Sequence, residues 1–138
     1  MQVKDAMHGD ALWREPTTPL ADIARLMKDQ DIGCVPIGEN DRLIGMVTDR
    51  DITVRAVANG GELTGKTARD VMTEDIVYCM ANEDIADAVH LMENKKLRRL
   101  PVIDDNKRLV GMLSLGDVAH AADQALSGEL TKAVSAHH

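Results

Sequence analysis

The chain has no phenylalanine, one tryptophan and one tyrosine in 138 residues. Its interior must be filled by Leu, Ile, Val, Ala and eight methionines, an aliphatic and adaptable core rather than one keyed by ring packing. Cysteine is nearly as scarce. Cys34 and Cys79 show neither CxxC spacing nor a neighbouring histidine pair, so they fit free thiols in a reducing cytoplasm better than a disulfide framework, and they argue against a zinc site. No run approaches the roughly 20 apolar residues that span a bilayer. The opening MQVKDAMHGD lacks the apolar stretch of a secretory signal. Basic residues are outnumbered, 16 Lys and Arg against 23 Asp and Glu, for a formal net charge of −7. That sign works against non-specific binding to nucleic acid or an anionic membrane. A small anion held by a local basic patch remains compatible with it. With 44% apolar residues, the length fits one compact domain or two small halves sharing a core. The closing His137–His138 carries no functional argument.

What the chain does have is itself, twice. LADIARLMKDQDIGCVPIGENDRLIGMVTDRDI, from Leu20, aligns with IADAVHLMENKKLRRLPVIDDNKRLVGMLSLGDV, from Ile85. The spacing is constant through the proline and then needs one extra residue in the second turn. Upstream, KDAM (Lys4–Met7) matches RDVM (Arg69–Met72) at the earlier spacing. Two copies of so long a unit are a duplication, not a solenoid. The copies divide the chain into a first repeat with linker over 1–66, a second repeat over 67–126 and a tail over 127–138.

Each copy predicts the same order of elements. A short strand comes first, around Ala11–Arg14 and Ile76–Met80. An amphipathic helix follows, with Leu20, Ile23, Ala24 and Met27 on one face, and its twin presents Ile85, Ala88, Val89 and Met92. Apolar runs flanking GENDR and DDNKR predict strand–turn–strand hairpins. A second helix begins near Thr48 or Ser114, the latter running to about Leu126. Asn59-Gly60-Gly61 and Gly65 punctuate the linker. The expected fold class is α/β (α+β). It consists of two β-α-β-β-α units packed about a pseudo-two-fold axis, because one such unit cannot bury both sheet faces alone.

Each hairpin ends in one phrase, GMVTDRDI at 45–52 and GMLSLGDV at 111–118. A hydroxyl followed three residues later by an acid, as in Thr48 and Asp51 or Ser114 and Asp117, is an ordinary helix start. The same pair could hold the ribose and phosphate of a nucleotide, and the two uses are compatible. The basic run Lys95-Lys96-Leu97-Arg98-Arg99 stands out from the acidic background. Lys95 and Lys96 suit a solvated helix C-terminus. Arg98 and Arg99 enter the next strand, where alternation sends their side chains to opposite faces, so one of them could clamp a phosphate. The first copy has Gly33 and Cys34 there, which makes the two clefts inequivalent. Trp13 and Tyr78 also correspond. They read as core or dimer-interface plugs, with stacking on adenine as the alternative. His8, His90 and His120 are scattered and form no recognisable catalytic constellation.

The repeat, the proline strands VPI and LPVI, and the closing phrases together resemble the paired cystathionine-β-synthase (CBS) domain, or Bateman module, over about residues 3–122. The chain is similar to the bacterial stand-alone pairs of the hypoxic response protein group. The resemblance implies a non-enzymatic sensor or regulator that binds an adenosyl small molecule in clefts between the paired repeats. AMP, ADP, ATP and NAD are the candidate ligands, with no obligatory cofactor and no metal. It further implies that Asp51 and Asp117 receive ribose hydroxyls while Thr48 and Ser114 lie near phosphate, with Arg98 or Arg99 assisting in one cleft. A cytoplasmic homodimer acting on a regulated protein partner completes the expectation. A ligand-free interaction or dimerisation protein is the alternative.

Overall fold

A computed structural model of the chain describes residues 1–9, 12–60 and 62–136, with side chains described up to residue 125. Asp10, Ala11, Gly61 and His137–His138 lie outside the described residues. In chain order the elements are α1 (Val3–Ala6), α2 (Leu20–Gln30), β1 (Cys34–Glu39), β2 (Arg42–Thr48) and α3 (Asp49–Asp51), the last widening into a π-helical stretch over Ile52–Val57. There follow α4 (Ala68–Val71), β3 (Cys79–Met80), α5 (Ile85–Lys95), β4 (Arg99–Ile103), β5 (Leu109–Ser114) and α6 (Leu115–Ala136). Both repeats carry the same helices and hairpin in the same order, with β3 matched in the first repeat only by an isolated bridge, an α+β protein. No helix among the described residues is long and apolar enough to cross a membrane.

The chain forms two compact units, and neither is a single sequence repeat. One comprises Met1–Asp10, Tyr78–Asp104 and Val110–His138 (the first unit), the other Ala11–Val77 and Asp105–Leu109 (the second unit). The short helix α1, which opens the first repeat, therefore belongs with the hairpin of the second repeat. Helix α4, which opens the second repeat, belongs with the hairpin of the first.

In the second unit, β1 and β2 pair antiparallel from Cys34–Thr48 to Glu39–Arg42, with a bulge between Ile37 and Gly38. Asn40 and Asp41 both adopt positive φ, 56° and 62°, so the hairpin closes on a tight two-residue turn of the kind Asn and Asp tolerate. Leu20, Ile23 and Met27 of α2 are buried against Val35, Ile37 and Val47, with Ala24 only partly covered. The expected face of the helix is the one that packs. In the first unit, β3, β4 and β5 form one sheet in that order, with β3 parallel to β4. Ala88 and Met92 of α5 are buried, and so are Leu100, Val102 and Leu113. Asp31 and Lys96 end α2 and α5 in the same left-handed conformation, φ 53° and 56°. Lys95 and Lys96 thus sit at a helix C-terminus, where a cation is favoured.

Three expectations need correction. The opening strand of each repeat is shorter than alternation suggests. Near Arg14 it is one parallel bridge to Ile37, and in the second copy only Cys79–Met80 is strand. Trp13 and Tyr78 are not plugs of the chain's own core, being 43% and 40% exposed. Helix α6 does not stop near Leu126 but continues to Ala136. Beyond Gly128 the sequence offers Glu, Leu, Lys and Ala without proline, which lets a helix already nucleated run on.

Candidate functional site

The phrases GMVTDRDI and GMLSLGDV form two near-identical strand-to-helix junctions, one per unit. In the second unit, Thr48 is the N-cap of α3. Its Oγ1 accepts the Asp51 N–H at 3.0 Å, and Asp51 Oδ2 accepts the Thr48 N–H at 2.9 Å. In the first unit, Ser114 Oγ accepts the Asp117 N–H at 3.0 Å and Asp117 Oδ2 accepts the Ser114 N–H at 2.9 Å. Both are reciprocal capping boxes. The helix-start use of the hydroxyl–acid pair is therefore realised in both copies.

The glycine and methionine of each phrase follow from what crosses them. The segment after α4 bridges β2 through Met46 N–H to Thr73 O (3.0 Å) and Thr73 N–H to Met46 O (2.8 Å). The segment after α1 does the same to β5 through His8 and Met112, both bonds 2.9 Å. A Cβ on Gly45 would lie 2.7 Å from Met72 Sδ and 3.2 Å from Thr73 O; one on Gly111 would lie 2.5 Å from His8 O and 2.7 Å from Met7 Sδ. Only glycine lets the crossing segment lie this close.

That segment delivers a second partner to each acid. The Thr73 hydroxyl reaches Asp51 Oδ1 at 3.3 Å, and His8 Nε2 lies 2.6 Å from Asp117 Oδ1. Both carboxylates are about nine-tenths buried, with side chains 12% and 9% exposed. Arg55 Nε stands 3.9 Å from Asp51 Oδ1, while its Nη1 is committed to the carbonyls of Val71 and Met72. Sequence reasoning left His8 and Thr73 without a role. The signal was one residue past the matched KDAM and RDVM, where the copies diverge in type and keep their position.

The helix starts differ where the phrases differ. In the second unit the Asp49 N–H donates to Gly33 O (3.0 Å), and Asp49 Oδ1 accepts the Arg50 N–H (2.8 Å). With Asp51 N–H on Thr48, the first three amides of α3 are all satisfied by the protein. In the first unit the Leu115 N–H donates to Arg98 O (3.0 Å) and the Asp117 N–H to Ser114. Leu115 has no carboxylate to offer, and the Gly116 N–H has no acceptor among the described residues. Arg98 holds the place of Gly33, where a Cβ would face Asp49 Oδ2 at 3.2 Å. Arg98 precedes β4 and Arg99 opens it, and both side chains are exposed. Among the described residues, no group of three or more His, Cys, Asp or Glu could hold a metal ion.

The model of the CBS domain family matches the chain twice, at residues 3–57 and 68–123. The CBS domain-containing protein YhcV of Bacillus subtilis is 39% identical over 118 residues, 85% of this chain and 82% of YhcV. Hypoxic response protein 1 of Mycobacterium tuberculosis is 38% identical over 112 residues, 80% of this chain and 78% of that protein. An uncharacterised Methanopyrus kandleri protein, MK0525, is 33% identical, and the match spans 61% of its length. Among solved structures, Hypoxic Response Protein I with two coordinated zinc ions superposes at a TM-score of 0.78, with 36% identity, over 87% of this chain and 98% of that one. CBSX2 in complex with AMP gives a TM-score of 0.78 with 27% identity, over 90% and 97% of the two chains.

Proposed function

The chain belongs to the CBS domain family, with two copies in tandem, and from that premise we propose that it is a non-enzymatic regulatory module whose ligand is an adenine nucleotide. The observation that carries the reading is the Gly116 N–H at the head of α6, left without an acceptor beside the Asp117 carboxylate and Arg98. A helix N-terminus with a free amide attracts a phosphate. A carboxylate with two oxygens can take a vicinal diol, since each oxygen accepts more than one hydrogen bond and the cap and His8 use one apiece. The ribose therefore goes to Asp117 and the phosphate to Gly116 N–H, Ser114 and Arg98. Arg98 is preferred over Arg99 because its counterpart position faces the first residue of the helix.

At the other start, Asp49 already occupies the Arg50 amide with its own carboxylate, a resident anion that opposes a phosphate. Thr48 and Asp51 are then a cap first and a ligand site second. AMP, ADP, ATP, NAD and S-adenosylmethionine share the adenosyl group and differ in charge, so their ranking reads out how much the phosphate end contributes. AMP in complex with CBSX2 is a chemical precedent. The same reading has the module acting as a cytoplasmic homodimer that biases a protein partner. Val54 and Val57, half exposed on the π-helical stretch, supply apolar surface for such an assembly.

Thermal unfolding with each of the five ligands tests the proposal. A specific ligand at about 100 times its dissociation constant adds about 2.7 kcal/mol of stability. Leu115→Asp, which places in the first unit the acid that Asp49 supplies in the second, should weaken AMP at least tenfold, and Asp117→Ala should do the same. AMP affinity unchanged in L115D sinks the phosphate placement. No stabilisation by any of the five makes the protein a ligand-free interaction module instead.

A further inference from the structure

The second unit has a cavity of about 240 Å³ at the turn end of its hairpin, lined by Trp13, Gly38, Asp41, Arg42 and Arg108, with Leu43 and Leu109. Thr48 lies at the opposite end of β2, six residues from Arg42, roughly 20 Å at the rise of a strand. The cavity is thus no part of the helix starts described above.

Its walls are built from both copies of one dipeptide. Arg42-Leu43 and Arg108-Leu109 are equivalent in the repeat, and the second unit contains both, fastened by the Leu43 N–H to Lys107 O bond of 3.1 Å. The fifth wall element is the chain's single tryptophan. Its neighbour Arg14 is pinned to β1 through Arg14 N–H to Pro36 O (3.1 Å) and Gly38 N–H to Arg14 O (2.9 Å). The indole lies against Gly38, where a Cβ would come within 3.2 Å of Trp13 Cε3. The equivalent of Gly38 in the other copy is Ile103, which is buried. Only the Trp13 copy has a glycine on which its ring can be seated.

The chemistry of this set is selective. An indole left 43% exposed in a chain nearly free of aromatics presents a large apolar face to solvent. The Arg42 side chain has no ion-pair or hydrogen-bond partner among the described residues, in a chain whose acids outnumber its bases. Arg108 is already engaged within the protein and adds charge and a planar wall. Two guanidinium groups against Asp41 leave one net positive charge in the cavity. The volume falls below the roughly 300–1,000 Å³ of sites for drug-sized molecules.

We propose that this cavity is a second ligand site, separate from the helix starts, which takes a small planar aromatic monoanion. The ring stacks on the exposed part of the Trp13 indole that Gly38 seats, and the acid group meets the fork of Arg42. Asp41 stands ready to accept a hydrogen bond from a donor on the ring.

The indole N–H of Trp13 gives one resonance in an amide-correlation spectrum of the full chain, so it reports the site directly. Three probes separate the contributions: benzoate, cyclohexanecarboxylate with the charge but no aromatic face, and benzyl alcohol with the ring but no charge. Benzoate should displace the Trp13 resonance saturably with a dissociation constant of about 1 mM or tighter. The other two should bind at least tenfold more weakly. Arg42→Ala should cost benzoate at least tenfold, and Gly38→Val should abolish its effect, with Asp117→Ala leaving it unchanged. Equal affinity for cyclohexanecarboxylate, unaltered binding in R42A, or no saturable displacement at millimolar benzoate would each overturn the proposal. None of these results bears on AMP at the helix starts.

Discussion

His8 Nε2 lies 2.6 Å from Asp117 Oδ1, in the place where the Thr73 hydroxyl meets Asp51 in the other copy of the repeat. Two side chains of different chemistry thus hold equivalent carboxylates from equivalent positions. His8→Ala removes a donor from an acid that is largely buried and should lower stability by about 1 kcal/mol. His8→Thr restores the arrangement used at Asp51 and should recover at least half of that loss. Urea unfolding of the two variants beside wild type measures both. Equal loss in H8A and H8T would mean that the hydrogen bond contributes nothing.

The two glycines of the repeated phrase should not tolerate alanine equally. A Cβ on Gly111 meets the His8 carbonyl oxygen at 2.5 Å, and backbone cannot step aside. On Gly45 the closest atom is the sulfur of Met72, at the end of a flexible side chain. Gly111→Ala should therefore cost about 1–3 kcal/mol, and Gly45→Ala distinctly less. The reverse order in thermal melts would refute the packing account.

The capping hydroxyls offer a check on the pseudo-symmetry. Thr48→Ala and Ser114→Ala each delete one acceptor for a helix amide and should each cost about 1 kcal/mol. Thr48 and Ser114 share no partner in either capping box, so the double variant should lose the sum within about 0.5 kcal/mol. Marked non-additivity would show that the two helix starts respond as one.

Cys79 is buried, and burial, with a smaller contribution from the Glu83 charge, pushes its thiol from 9.0 up to about 12. The native protein therefore keeps its proton where the unfolded chain has lost it. Stability from this group is intact below about pH 9 and falls as pH rises from there toward 12. Iodoacetamide at pH 8 should modify Cys34, which is partly exposed, and spare Cys79 until denaturant is added. Mass spectrometry of the intact protein counts the adducts, and prompt double labelling of the native protein would contradict this.

Much of this was legible before any coordinates. The duplication laid out both amphipathic helices and both hairpins, because apolar spacing records the face an element buries. The hydroxyl–acid pairs read correctly as helix starts for the same local reason. What stayed hidden depends on chain crossing. Nothing in the spacing of MQVKDAMHGD announces that His8 reaches Asp117, since that contact is made by a segment remote in sequence. Burial statistics favour an interior ring, and of the two plug readings of Trp13 the one within the chain's own core fails. The indole lies instead against Gly38 and lines a cavity together with Arg108 from the other repeat, neighbours that spacing does not reveal. Arg98 and Arg99 were visible as a basic pair. The difference between them needed the backbone bond from Leu115, which shows which residue adjoins the helix.

The mixed make-up of the two compact units bears on how such a chain could arise. A solitary copy of the repeat would hold an acid at its helix start and would lack, within its own fold, the crossing segment that anchors it. It could complete itself only by domain swapping, lending its opening helix to a twin and receiving the twin's in return. Fusion in tandem turns that exchange from a concentration-dependent encounter into an intramolecular one at high effective concentration. It also frees the partners to diverge. Histidine at position 8 and threonine at position 73, arginine at 98 and glycine at 33, are differences that two identical chains could never have held.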